Sequence, residues 1–194
     1  MLFRSFVLWT LWIDRDKKIL VISASKQRAD DFTIFCQKCI LEFDWLAHLR
    51  PVDDDQRWSR VSFDVAGCKP AQAPSVKSVG ITGQITGSRA DLIVFDDVEV
   101  PANSATDFMR EKLLQLVTEG ESVLTPKNDS RIVFLGTPQT TFTIYRTLRE
   151  RNYRPFVWPA RYPKDLTGYD EVLAPQLVKD IKRNGHETLS WSPT

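Results

Sequence analysis

Two aspartates, Asp96 and Asp97, close the apolar run Leu92-Ile93-Val94-Phe95, and Glu99 follows two residues on. A short run of that kind reads as a buried strand, and an unbroken one suits a parallel sheet. Open α/β sheets hold their ligands at the carboxyl ends of their strands. An acid there, facing the phosphates of a nucleotide, holds magnesium through water, which makes Asp96 the metal and cofactor-binding candidate. Asp97 stands where an acid can polarise an attacking water. Glu99 is longer and competes for that catalytic role. The plainer alternative is that the two aspartates cap a strand and open a turn.

Upstream, Gly80, Gly83 and Gly87 lead through Ser88 to Arg89. The glycines permit tight or left-handed backbone. A bending loop is enough to explain them, since neither G-x-x-x-x-G-K-[ST] nor G-x-G-x-x-G is present there. Arg89 can face a phosphate in its own subunit, reach a neighbour's site as an arginine finger, or pair on the surface with Asp91 or Glu99. A second apolar run, Arg131 to Leu135, stops at Gly136-Thr137-Pro138-Gln139-Thr140. Gly136, Thr137 and Gln139 then share the acids' sheet edge, where Thr137 or Gln139 can sense a γ-phosphate. The alternative is a strand-to-helix turn punctuated by Gly and Pro. Ser23-Ala24-Ser25-Lys26 touches a DNA phosphate or caps the next helix. No Ser-His-Asp arrangement is present, because the two histidines, His48 and His186, lie in no motif.

The elements that position these groups read as alternating helices and strands. A helix over Phe3 to Ile13, with Phe6, Trp9 and Trp12 as core residues, precedes a strand over Lys18 to Ser23. Ser25 then caps a helix to about Trp45. Leu49 to Arg60, with Pro51 and Asp53 to Asp55, is a loop whose aspartates are solvated rather than metal-binding, since consecutive side chains diverge. Strands follow over Val61 to Val65 and Val76 to Ile81, then one from Leu92 that ends at Asp97, then a helix from about Ala105 to Glu119. Arg131 to Leu135 is a further buried strand, Phe142 to Arg151 a helix, Tyr153 to Trp158 a strand and Asp170 to Arg183 a helix. This alternation predicts an α/β protein with a mainly parallel sheet flanked by helices.

Composition narrows the function classes. With 194 residues, 42% of them apolar and 26% charged, the chain is long enough for a core and is not a disordered sequence. A net charge of +1 neither favours nor excludes nucleic acid. The first helix is too short to cross a bilayer, is interrupted by Arg4, and lacks a small-residue cleavage site, so no membrane role is expected. Cys36 and Cys39 are spaced C-x-x-C without the second pair that a zinc site needs, and they sit among Phe32, Phe35, Ile40 and Phe43 as buried helix residues. An odd number of cysteines fits a reducing compartment.

Taken together and in order, these segments resemble the large terminase subunit of T7-like tailed phages. The carrying residues are Leu8 to Trp12, Val21 to Lys26, Pro74 to Gln84, Thr86 to Asp91, Asp96 to Glu99 and Leu135 to Thr140. The resemblance reaches to about Pro163. It implies an ASCE-type P-loop NTPase core, ATP and magnesium as cofactors, and packaging of double-stranded viral DNA into procapsids. It also implies a homo-oligomeric ring on the portal protein, a small terminase subunit as partner, and action in the host cytoplasm at the procapsid portal. On this resemblance Asp96 matches the Walker B magnesium acid, Asp97 the hydrolytic acid, Arg89 an arginine finger, and Leu135 to Thr140 the motif that couples hydrolysis to movement.

Two departures accompany the match. The Walker A loop of the family should lie just before the first helix, and no glycine loop precedes Arg4-Ser5 here. The nuclease domain of the family would follow this region. Residues 1–165 therefore read as a partial ATPase domain lacking its P-loop strand, and residues 166–194 as a helical, polar tail. The expectation is that the isolated chain has little or no ATPase activity. The alternatives are a non-catalytic remnant or binding module, and an unrelated helicase-like α/β NTPase.

Overall fold

The computed structural model describes residues 2–53, 55–139 and 141–156. Among them the sheet has five strands: β1 (Ile19–Ser23), β2 (Ser62–Phe63), β3 (Val76–Gly80), β4 (Leu92–Asp96) and β5 (Arg131–Leu135). They lie in the order β2-β3-β1-β4-β5; β2 runs antiparallel to β3, and the other pairings are parallel. The α/β class with a mainly parallel sheet is as expected, and the whole sheet is mixed.

The strands are apolar because helices cover both faces. Alternation along a strand sends successive side chains to opposite faces. Ile19, Val21, Leu92 and Val94 join one buried cluster with Val7, Leu8 and Leu11 of α1 (Leu2–Ile13) and Phe32, Cys36 and Ile40 of α2 (Lys26–Glu42). The opposite face carries Ile22 and Phe95. After the short α3 (Pro101–Ser104), α4 (Asp107–Glu121) crosses that face. A Cβ added at Gly120 of α4 would stand 2.8 Å from the Phe95 ring and 3.0 Å from Ile22, so the helix sits directly on the sheet. Phe95 also stacks on Phe134 with ring centroids 4.3 Å apart and planes 3° from parallel.

Several expectations need correction. Trp9 and Trp12 are about half exposed, while Val7, Leu8 and Leu11 form the buried stripe of α1; a helix apolar all round does not reveal its inner face. The helix capped by Ser25 ends at Glu42, where Phe43 turns extended, and Asp44–Leu49 continues as a 3-10 helix. The single helix expected from Ala105 is instead α4, begun at Asp107 by the Thr106 hydroxyl, which accepts from the Met109 N–H. β5 is half-buried rather than buried, because it stands last among the described strands, with β4 as its one neighbour there.

By contacts the chain divides into Met1–Ile144 and Tyr145–Thr194. Of the second unit the description covers the body of α5 (Ile144–Glu150) and residues 151–156. Asn152 takes a left-handed φ of 68°, and the Tyr153 N–H returns to the Leu148 carbonyl at 3.1 Å, closing the helix. Residues 153–156 form no strand. The remainder of that expected strand, the helix over Asp170 to Arg183 and the boundary near residue 165 lie outside the described residues, as do Asp54 and Thr140.

Candidate functional site

The parallel register lines up the last residues of four strands. Gly80 lies beside Ser23, Ser23 beside Asp96, and Asp96 beside Leu135. Because β1, β3, β4 and β5 all point the same way, this row is the carboxyl edge of the sheet. The turns that leave it carry Ser25, Asp97 and the loop from Gly136, so the sequence-predicted groups other than Arg89 and Glu99 come together here.

Asp96 is half-buried. Burial, and then the neighbouring charge of Asp97, raise its carboxyl above the usual aspartate range, with Arg4 acting in the opposite direction. Arg4 lies over the rings of Phe35 and Phe32, at 4.8 and 5.7 Å from their centroids. Asp97 adopts a left-handed φ of 47°, and its N–H donates to the Leu135 carbonyl at 2.9 Å. This hydrogen bond ties the acid turn to the end of β5. Aspartate tolerates left-handed backbone better than most residues, whereas alanine there costs about 1 kcal/mol. Asp97→Gly is therefore expected to keep full stability and Asp97→Ala to lose about 1 kcal/mol, read as the difference in denaturant midpoint.

Glu99 is committed elsewhere. It is 1% exposed, and its Oε2 accepts from the Thr143 hydroxyl and from the Ile144 N–H at 3.3 Å. Its Oε1 is buried with no hydrogen-bond partner. Asn103 holds the intervening turn: its Oδ1 accepts from the Val100 N–H at 2.8 Å, and its Nδ2 donates to the Val98 carbonyl at 2.8 Å. In the sequence Asn103 reads only as a residue ahead of the next helix, and Thr143 carries no signal. The helix-start spacing of Asn103 behind Val100 was a usable signal; nothing local announces Thr143, 44 residues from Glu99.

Past β5, Gly136 is half-buried, and Thr137 and Gln139 are exposed at the same edge, with the Gln139 side chain donating to the Thr137 carbonyl at 3.1 Å. Ser25 does cap α2, its hydroxyl accepting from the Arg28 N–H at 3.3 Å. Of the three glycines, Gly87 alone takes positive φ. Gly80 is required for another reason: a Cβ there would stand 2.7 Å from the Lys26 nitrogen, so the glycine lets α2 begin against the strand end.

Arg89 is not brought to this edge. It precedes β4, so it stands at the amino edge, about 13 Å of strand rise from Asp96. There it is exposed, and with Lys77, Ser88 and Pro74 it lines a cavity of about 260 Å³. Neither surface partner is available. Asp91 pairs with Lys127 at 2.7 Å and accepts from the Lys18 N–H, and Glu99 faces Thr143. Among the described residues Arg89 has no ion pair.

The described residues contain no cluster of three His, Cys, Asp or Glu able to hold a metal. Cys36 and Cys39 are buried in α2, and burial pushes both thiols up. A thiol reagent is accordingly expected to label half-exposed Cys68 in the native chain and all three cysteines only after denaturation, as counted by mass spectrometry.

These features define an α/β protein whose mixed sheet gathers a pair of acids and a polar loop at its carboxyl edge. No protein-family model matches the chain. Over 195 aligned positions it is 51% identical to the terminase large subunit of Enterobacteria phage T3, covering 98% of this chain and 33% of that relative. The chain spans about a third of the length of the relative it matches. Over that span it is kin to the large terminase subunits of T7-like phages, as its motifs suggested. No described helix is long and apolar enough to cross a membrane.

Proposed function

We propose that this chain carries the acid side of the ATP site of a motor that packages double-stranded viral DNA into procapsids. One observation carries the reading: Asp96 closes the central part of a parallel sheet, in register with Ser23 and Leu135, in a chain akin to a terminase large subunit. On this reading the core is of the ASCE P-loop NTPase kind. Asp96 holds magnesium through water, Asp97 orients and activates the attacking water, and Gly136, Thr137 and Gln139 lie towards the γ-phosphate. The burial of Glu99 against Thr143 and Ile144 favours Asp97 over Glu99 as the hydrolytic acid.

The residues present fit a shared magnesium site. Asp96 is a half-exposed carboxylate at the ligand edge, and the buried Ser23 Oγ in register beside it has no partner. Bound magnesium supplies charge neutralisation to the transferred phosphoryl group. No G-x-x-x-x-G-K-[ST] occurs in the 194 residues, so the amides that cradle the phosphates belong to a segment outside them. The exposure of Arg89, its lack of an ion partner and its distance from Asp96 support a role in a neighbouring subunit of a ring. Portal protein, procapsid, a small terminase subunit and duplex DNA are the partners on this reading, and the host cytoplasm at the procapsid portal is the place. Contacts to DNA would fall on phosphates and weaken steeply with salt.

The test is to combine the chain with a peptide bearing a P-loop strand and its glycine loop, then measure ATP hydrolysis. A packaging motor is stimulated by duplex DNA with empty procapsids and does not unwind strands. Hydrolysis coupled to unwinding, indifferent to procapsids, would instead support a helicase-like enzyme.

A further inference from the structure

The strand β1 ends its apolar sequence Ile-Leu-Val-Ile on a serine that the fold seals completely. Ser23 is 0% exposed, and its Oγ has no hydrogen-bond partner. A buried hydroxyl without a partner is costly, and an alanine of nearly the same shape would avoid that cost. Its surroundings leave few candidates for what it serves. On one side its row neighbour is Gly80, which has no side chain, and the space there is closed by the backbone of Ser25 and Lys26. On the other side its neighbour is Asp96. Parallel strands lie about 4.8 Å apart, and registered residues send their side chains to the same face. Ser23 and Asp96 therefore share the face of Val21 and Val94, and no other side chain stands in that row beside the hydroxyl. The Asp96 carboxylate is itself without a hydrogen-bond donor among the described residues.

We propose that Ser23 is a positioning residue of the magnesium site: its hydroxyl donates to the Asp96 carboxylate when that carboxylate turns to hold the ion's water. The inference rests on the reading of Asp96 given above and adds a residue to it. The hydroxyl fixes one carboxylate oxygen, leaving the other to accept from a metal-bound water. The apolar wall that seals Ser23 keeps bulk water from taking its place.

The probe is magnesium chloride, titrated into the full chain with the P-loop peptide and a non-hydrolysable ATP analogue present, while the carboxyl carbon signal of Asp96 is followed by NMR. Ser23→Ala is expected to weaken the apparent magnesium affinity roughly tenfold, the low end for groups that orient a metal ligand. Its melting temperature stays at or above that of the wild type, because the lost hydroxyl has no hydrogen-bond partner in the fold. Ser23→Thr, which keeps the hydroxyl, recovers most of the affinity. If Ser23→Ala binds magnesium like the wild type while Asp96→Asn abolishes the response, the role of Ser23 is wrong and the site stands. If Asp96→Asn also leaves the response unchanged, or the wild-type signal never moves, both are wrong.

Discussion

Asp96→Asn is expected to cost at least roughly a hundredfold in magnesium-dependent nucleotide affinity, the upper range for residues that orient a metal's shell, while the fold survives intact. The amide keeps the shape of the carboxylate and gives up the charge that makes it a good acceptor from magnesium's waters. Stability should move the other way. Burial and the charge of Asp97 raise the Asp96 carboxyl above its ordinary value of 3.8. The folded chain therefore holds that proton more tightly than the unfolded chain. Stability from this group falls as pH climbs from the ordinary value through the raised one. At neutral pH the wild type bears this cost and Asp96→Asn does not, so the variant should melt at or above the wild-type temperature. Melting curves at pH 7 beside magnesium-dependent binding of a fluorescent ATP analogue check both halves. A group that gives up stability at a ligand edge is what a functional acid looks like.

Phe95→Ala carries the largest expected effect on stability, a loss of about 4 kcal/mol. The ring is 0% exposed, stacks on Phe134 and receives Gly120 of α4. Removing it opens a cavity between the sheet and α4. A domain has about 5–15 kcal/mol to lose, so much of the fold's margin goes with this ring. Asp96 is the next residue, and its place at the edge depends on β4 staying in register with β1 and β5. Chemical denaturation followed by circular dichroism measures the loss; a change under 1 kcal/mol would mean α4 is not seated as described.

How much of this was legible in the sequence follows from the range of the forces involved. The run Leu92 to Asp96 announced both a strand and its functional end, because burial on two faces and a terminal pair of acids are local signals. Ser25 announced the start of α2 for the same reason. The inner face of α1 was not readable, since Trp9, Trp12, Val7 and Leu8 are all apolar and only packing chooses among them. Glu99 looked like a free acid until Thr143 and Ile144 were brought to it by the path of the chain after β5. Arg89 was legible as lying just before the strand that Asp96 closes, but its phosphate role in its own subunit was not, because that strand sets the two at opposite edges of the sheet. Ser23 gave no signal of its own, because a serine after Ile22 reads as a strand end until register sets it beside Asp96.

Magnesium and ATP should bind along the row Gly80, Ser23, Asp96, Leu135. The most direct measurement is a backbone amide NMR map of the chain, with the P-loop peptide present, before and after adding magnesium and a non-hydrolysable ATP analogue. Changes are expected at Ser23, Asp96, Asp97 and Gly136 to Gln139, dependent on magnesium and absent in Asp96→Asn. Changes confined to the Lys77 and Arg89 cavity, or the same map in Asp96→Asn, would contradict this placement.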